Sequence, residues 1–177
     1  MSFDNRVAVL AGCRTPFAKS GGVYRDLTAL DLAKACVREL LERSEVDPAW
    51  ISTVVMGQVV SSVKAPNLGR ETALGVGLPP GVPGLTVNRA CASANEAITQ
   101  VANAIGLGHA EAGIAGGAES LSDVPILHSK RMARALVDAS RAKTLGARVR
   151  AFAGVRLRDL SPDAPAIAEP STGLSMG

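Results

Sequence analysis

The strongest structural signal in this chain is the segment Leu85-Thr86-Val87-Asn88-Arg89-Ala90-Cys91-Ala92-Ser93-Ala94-Asn95-Glu96-Ala97. A β-branched run ends in a polar turn, and small apolar residues at helical spacing follow. This order predicts a strand, an elbow and a helix, with Cys91 in the first turn of the helix. Free N–H groups and the positive end of the helix dipole favour a thiolate there. Cys91 is therefore a candidate nucleophile, although a lone cysteine among alanines is more often a small buried hydrophobic residue.

Strand and helix patterns alternate on both sides of this stretch. The apolar runs of strand length and the segments of helical pattern are residues 6–13, 28–41, 53–59, 67–75 and 112–118. Continuous apolar runs are typical of strands buried on both faces. The glycines of the last run indicate a close approach by the Cys91 helix or by a substrate. The sequence predicts an α/β fold in which a mostly parallel sheet is covered by helices.

Composition excludes several classes of protein. The chain has 177 residues and only 3% of them are aromatic, while no apolar run approaches the roughly 20 residues of a membrane span. Nucleic-acid recognition is disfavoured, because no binding motif accompanies the basic residues. The cysteines Cys13, Cys36 and Cys91 have no Cys-x-x-Cys spacing, which argues against a disulfide framework or a metal site and for a reducing cytoplasm. We therefore expect no metal and no permanently bound cofactor.

Positive charge collects between residues 128 and 158, where Asp138 is the one acid among many Lys and Arg residues. The first three basic residues, Lys130, Arg131 and Arg134, are candidates for binding a phosphate or an anionic membrane surface. An ordinary solvated surface explains the charge equally well. His109 and His128 are lone histidines without metal spacing, and we expect both at the surface.

Three motifs resemble the signatures of the thiolase family. Val87–Ser93 is similar to its nucleophile segment, the Gly-Gly pair and Glu-Ser-x-Ser of residues 115–122 to its second signature, and Arg14-Thr15-Pro16-Phe17 to its N-terminal one. They occur in the family's order and at family-like spacing, and the resemblance covers essentially the whole chain. It is closest to the long-chain branch, which contains the β subunit of the fatty-acid oxidation trifunctional complex.

The resemblance implies a layered fold of two similar α/β halves, with a loop domain inserted after the second signature. Residues 1–120 would be the first half with the nucleophile helix, and residues 121–177 a truncated beginning of the loop domain that binds coenzyme A. The implied activity is that of an acetyl-CoA C-acyltransferase, which moves an acyl group between 3-ketoacyl-CoA and CoA. Cys91 would carry the acyl group as a thioester, its backbone N–H would contribute to an oxyanion hole, and Lys130, Arg131 and Arg134 would be weak candidates for holding CoA.

The family's remaining catalytic groups lie in Gly-His-Pro, Asn-Glu-Ala-Phe and Cys-x-Gly motifs of the second half, and none of these occurs in this sequence. We expect the 177 residues to be a fragment, or one of two pieces, and to be inactive alone. The resemblance also implies a cytoplasmic homodimer or dimer of dimers, which in long-chain members pairs with a hydratase–dehydrogenase subunit.

Two other functions remain open. A β-ketoacyl synthase shares the fold and a cysteine at a buried helix start, although the Arg-Thr-Pro-Phe and Glu-Ser motifs favour a thiolase. A non-catalytic thiolase-like module would bind acyl-CoA or lipid and leave Cys91 unreactive.

Overall fold

The computed structural model describes residues 6–162 and 171–174. The chain folds as two compact units, Met1–Val124 and Pro125–Gly177. The helices and strands of the described residues are α1 (Ala29–Ser44), β1 (Ile51–Gly57), α2 (Leu68–Gly75), β2 (Gly84–Val87), α3 (Ser93–Gly106), β3 (Ala112–Gly117), α4 (Lys130–Arg141) and α5 (Leu145–Ala151).

The first unit is built on a parallel sheet whose described strands run in the order β2-β1-β3. Successive side chains of β1 point to opposite faces, as strand geometry requires. Val54 and Met56 join a core with α1 and α2, while Val55 packs with Ala97 and Val101 of α3. Helices therefore cover both faces of a parallel sheet, which confirms the predicted α/β class.

Side-chain caps fix where the first two helices begin. The Thr28 hydroxyl accepts a hydrogen bond from the Asp31 backbone N–H, and the Asp31 carboxylate accepts one from the Thr28 backbone N–H. This reciprocal pair satisfies two donors that a helix start leaves open. Asn67 caps α2 by accepting from the Arg70 N–H. Both starts lie where the sequence predicted them.

Glycines let α3 lie directly on the sheet. A Cβ on Gly113 would lie 2.7 Å from the Val101 Cγ1, and one on Gly57 would lie 2.5 Å from the carbonyl carbon of Ser93. Atoms in folded proteins do not approach so closely, so only glycine fits at these two positions. Gly113 and Gly117 of β3 thus face the helix that follows Cys91, as one of the two alternatives from the sequence proposed, whereas Gly116 faces Met56.

Residues 6–13 differ from expectation. They form no strand in the structure, and Val9 and Leu10 are 87% and 78% exposed. The apolar run predicted a strand buried on both faces, and that prediction is wrong for the described chain. An apolar run becomes a strand only when another strand pairs with it, and the sequence of the run does not contain that partner.

The second unit is a pair of helices with a short 3₁₀ turn at Leu157–Leu160. Met132 and Ala135 are the buried residues of α4, and its remaining side chains are largely exposed. Asp159 is buried, accepts hydrogen bonds from the Ser129 hydroxyl and the Arg156 N–H, and lies 3.6 Å from an Arg131 nitrogen. That this unit is the beginning of a CoA-binding loop domain stays a prediction, as does the boundary at residue 120.

Candidate active site

Cys91 lies between β2 and α3, on the connection that the sequence predicted as an elbow. Its position differs in one detail: the first helical residue is Ser93 and the N-cap is Ala92, so Cys91 precedes the helix and does not belong to its first turn. The thiol is exposed in the described chain. Cys91 therefore stands beside the N-terminus of a 14-residue helix and is accessible to a reagent or a substrate.

The backbone turns sharply immediately before this cysteine. Ala90 has a φ of 47°, in the left-handed region that costs a non-glycine residue roughly 1–2 kcal/mol. Such a conformation persists only where the surrounding structure holds it, and it occurs most often at functional sites. We call residues 88–93 the elbow.

Ser93 holds the elbow in this shape. Its hydroxyl donates to the Ala90 carbonyl at 2.6 Å and accepts from the Arg89 N–H at 2.8 Å, and Ser93 is buried. The Ala90 N–H donates to the Asn88 side-chain oxygen at 3.1 Å. Both polar backbone groups of Ala90 thus have partners inside the elbow, which offsets the cost of its strained φ.

The second signature motif supports the elbow from outside. The Glu119 carboxylate accepts hydrogen bonds from the backbone N–H groups of Val59 and Val60, at 2.8 and 3.0 Å. The Val59 carbonyl in turn accepts from the Asn88 side-chain amide at 3.2 Å. A chain of hydrogen bonds therefore runs from Glu119 through the loop after β1 to the residue that holds Ala90.

Two serines of the same motif fasten the loop that follows the N-terminal signature. The buried Ser120 hydroxyl donates to the Leu27 carbonyl at 2.8 Å, and the Ser122 hydroxyl accepts from the Gly21 N–H at 2.9 Å. In the described residues the three polar side chains Glu119, Ser120 and Ser122 serve the backbone of other segments. No role was predicted for these three residues, although their place in a recognisable motif was the signal that could have found them.

The start of α3 has no side-chain cap. Ala92 occupies the N-cap position and its methyl group cannot accept a hydrogen bond, while the Ser93 hydroxyl is engaged with the elbow. The dipole of the helix is directed toward this end with its positive pole. An anion beside Cys91 would meet N–H groups with no competing side-chain acceptor from the cap.

The basic candidates of the second unit come together in one cleft. Among the residues that the structure describes there, Lys130, Arg131 and Arg134 line a cavity of about 380 Å³ between α4 and the segment after α5. We call it the basic cleft; its other lining residues are Ala135, Asp138, Ala151, Gly154 and Val155. All three basic side chains are exposed, and Arg131 also lies 3.6 Å from the Asp159 carboxylate. His109 and His128 are exposed, as expected.

No group of His, Cys, Asp and Glu within residues 6–162 and 171–174 is arranged to hold a metal ion. The same part of the chain has no helix of the length and apolarity required to cross a bilayer.

Known proteins resemble the chain over almost all of its length. The family model for the thiolase N-terminal domain matches residues 7–156. The 3-ketoacyl-CoA thiolase of Cronobacter sakazakii is 49% identical over 173 residues, which cover 98% of this chain and 40% of that protein. That of Colwellia psychrerythraea is 46% identical over 176 residues, which cover 99% and 40%. The chain thus spans about 40% of the length of these curated relatives.

Solved structures agree with the sequence matches. The acetyl-CoA acetyltransferase of Bacillus anthracis superposes with a TM-score of 0.66 at 32% identity, over 68% of this chain and 31% of that one. The Acat5 thiolase of Ascaris suum, solved with coenzyme A, gives a TM-score of 0.66 at 29% identity, over 68% and 32%. The family model spans all three sequence motifs, and the solved structures share the α/β architecture. This chain belongs to the thiolase family and corresponds to its N-terminal domain.

Proposed function

We propose that the protein to which this chain belongs is a thiolase that transfers an acyl group between 3-ketoacyl-CoA and CoA through a thioester on Cys91. The structure of the elbow is the main support for this proposal. It holds an exposed thiol beside an uncapped helix start, with backbone hydrogen bonds that fix the strained residue before it. Strain of this kind has no use in a cysteine that merely fills space.

The chemistry divides into two transfers. The Cys91 sulfur attacks the keto carbon of the substrate, the bond between that carbon and its neighbour breaks, and acetyl-CoA leaves after taking up a proton. The thiol of a second CoA then attacks the thioester, and the acyl group departs as a shortened acyl-CoA. The Cys91 backbone N–H would stabilise the oxyanion of the thioester step. Condensation runs through the same site in reverse.

The basic cleft supports the choice of CoA as the substrate carrier, because exposed Lys130 and Arg134 suit the phosphates of a nucleotide. Lys130→Ala combined with Arg134→Ala is expected to weaken CoA binding about tenfold in the full-length protein, and less so at high salt. The pair Arg141→Ala and Lys143→Ala, which removes the same charge outside the cleft lining, is the matched control. If a calorimetric titration shows that both double variants lose the same affinity for CoA, only the net charge of the protein matters for binding.

Reactivity of Cys91 tests the nucleophile directly. With iodoacetamide near neutral pH, Cys91 is expected to react at least about tenfold faster than Cys36, whose thiol is half-buried. Exposure alone would also favour Cys91, so its rate is compared between the native and the urea-unfolded chain. A native rate above the unfolded rate supports activation by the elbow. Equal rates would support the alternative of a binding module with an ordinary thiol.

We also infer that these 177 residues do not complete a catalytic cycle, since the family's Gly-His-Pro and Cys-x-Gly motifs are absent from them. A thiolysis assay on the purified chain is expected to show no turnover, while an acyl thioester adduct on Cys91 forms slowly. Turnover at ordinary enzymatic rates would overturn this inference. A β-ketoacyl synthase remains the alternative enzyme, and decarboxylation of a malonyl thioester by the full-length protein would favour it.

Assembly and location are proposals from the family alone. We expect a cytoplasmic homodimer or dimer of dimers, with a hydratase–dehydrogenase subunit as a further partner in a long-chain member. Native mass spectrometry of the full-length protein, with and without that subunit, measures the oligomeric state and the binding of the subunit. A strictly monomeric protein would contradict the first expectation.

A further inference from the structure

Two cysteines that the proposed chemistry does not use lie against each other in the first unit. The sulfurs of Cys13 and Cys36 are 3.5 Å apart, although 23 residues separate them in sequence. Each thiol also donates to the other residue's backbone carbonyl, at 3.1 Å from Cys13 and 3.3 Å from Cys36. Both side chains are therefore directed at the same point from different segments.

We propose that Cys13 and Cys36 form a reversible disulfide when the protein meets a hydroperoxide, and that this bond fastens residues 6–13 to α1. The proposal is independent of the thiolase activity, because it uses neither Cys91 nor a substrate. It differs from a structural disulfide, since both thiols are free in the structure and the oxidant must be supplied.

The distance decides that the step is possible. A disulfide has its sulfurs about 2.05 Å apart, so the pair must close by roughly 1.5 Å. Cys36 is anchored in α1, whereas Cys13 ends an exposed segment that belongs to no strand. The movement therefore falls on the segment with fewer packing contacts, and α1 can remain in place.

The chemistry balances with one peroxide for each disulfide. Peroxide oxidises one thiol to a sulfenic acid and is reduced to one water. The second thiol then attacks that sulfur, the S–S bond forms, and a second water leaves. Burial, together with the neighbouring Cys13 thiol, raises the pKa of Cys36 to about 11, so this thiol stays protonated near neutral pH. The thiol that attacks the sulfenic acid gives up its proton, which leaves with the hydroxyl group as water. A dithiol reductant reverses the reaction.

The bond would change the N-terminal segment more than the core. Residues 6–13 lie on the surface in the reduced state, and the Arg14-Thr15-Pro16-Phe17 signature follows them directly. A link to α1 closes a loop that contains this signature. It also removes freedom from the unfolded chain and from the segment itself.

Peptide mapping of the full-length protein tests the bond. The Cys91→Ser variant is treated with hydrogen peroxide, its remaining thiols are blocked, and the protein is digested with trypsin without reduction. A linked pair of peptides, residues 7–14 and 35–38, is expected to form at least about tenfold faster in the native than in the urea-unfolded protein. It should disappear on treatment with a dithiol and be absent in Cys13→Ser.

The same samples give the outcomes that decide the proposal. If both thiols remain open to alkylation after excess peroxide, or Cys13 proceeds to a sulfinic acid without a linked peptide, the proposal is wrong. Hydrogen exchange tests whether the bond fastens residues 6–13 to α1. Amide exchange in residues 7–13 should slow on oxidation and recover on reduction. Unchanged exchange in a sample that contains the linked peptide would overturn the fastening of the segment.

Discussion

The elbow and the basic cleft are positioned by different interactions. In the elbow, short-range hydrogen bonds and glycine contacts fix the backbone, and Ser93 and Gly57 allow almost no alternative. In the basic cleft, long exposed side chains lie on α4, and the one firmly bonded group is Asp159 behind them. Substitutions in the elbow should therefore change structure and the reactivity of Cys91, whereas substitutions in the cleft should change the affinity for an anion and its dependence on salt.

The largest effect is expected at the contact beneath the elbow. Gly57→Ala places a methyl group within 2.5 Å of the Ser93 backbone, so α3 must move from the sheet. We expect the free energy of unfolding to fall by about 3 kcal/mol or more. Gly81→Ala is the control, because a Cβ there meets nothing within 4 Å, and no loss is expected. Urea unfolding compares the two, and equal midpoints would show that the contact yields easily.

An intermediate effect is expected when the hydroxyl of Ser93 is removed. Ser93→Ala leaves the Arg89 N–H without its partner in the elbow, at a cost of about 1–3 kcal/mol, while the Ala90 carbonyl keeps its bond from the Ser93 backbone N–H. Iodoacetamide labelling of Cys91 should slow in the same variant, since the turn that presents the thiol loosens. Thr99→Ala removes an exposed hydroxyl from the same helix and should change neither quantity appreciably. If labelling slows equally in Ser93→Ala and Thr99→Ala, the hydrogen bonds of the elbow do not control the reactivity of Cys91.

The smallest effect is expected behind the basic cleft and depends on pH. The Arg156 backbone N–H, with help from the Ser129 hydroxyl and nearby arginines, lowers the pKa of Asp159 below its ordinary value of 3.8. A lowered pKa means that the carboxylate stabilises the fold above pH 3.8, and that this contribution is lost as the pH falls through the lower folded-state value. Asp159→Asn should therefore reduce the melting temperature near pH 7, by less than Ser93→Ala does.

This pH dependence separates a bonded carboxylate from a merely exposed one. The difference between wild type and Asp159→Asn should shrink as the pH is lowered below 3.8, because the wild-type carboxyl is then protonated as well. Asp138→Asn, an exposed acid on the same helix pair, is the control and should change the melting temperature little at any pH. A difference that stays constant with pH would show that the charge of Asp159 does not stabilise this unit.

Local patterns predicted most of the fold because the signals are local. The Thr28 and Asp31 pair marks the start of α1 within the sequence itself, and so does Asn67 for α2. The prediction of a strand at residues 6–13 was wrong because an apolar pattern does not indicate which other strand would pair with it. Cys91 was expected inside the first turn of α3 and instead precedes it, since the reach of the Ser93 hydroxyl back into the elbow is not visible in residue types.

The candidate site was predictable in its parts and not in its connections. Cys91, Lys130, Arg131 and Arg134 were chosen from sequence, and the last three do line one cleft. The bonds from Glu119 to the two backbone N–H groups of residues 59 and 60 depend on how β1 and β3 lie side by side. Contacts between residues so far apart in sequence depend on the folded chain and are not visible in a local pattern. Whether Cys91 and the cleft perform the proposed roles stays a prediction.

The hydrogen bonds to Glu119 make positions 59 and 60 sensitive to one kind of substitution. Its carboxylate is bound by main-chain N–H groups, so the side chains at positions 59 and 60 contribute nothing to that bond. Substitutions at these two positions therefore leave the bond intact, with proline the exception because it has no N–H to donate. Replacing Val59 or Val60 by proline should therefore weaken the hold of Glu119 on the loop after β1, and replacing Glu119 by alanine should abolish it.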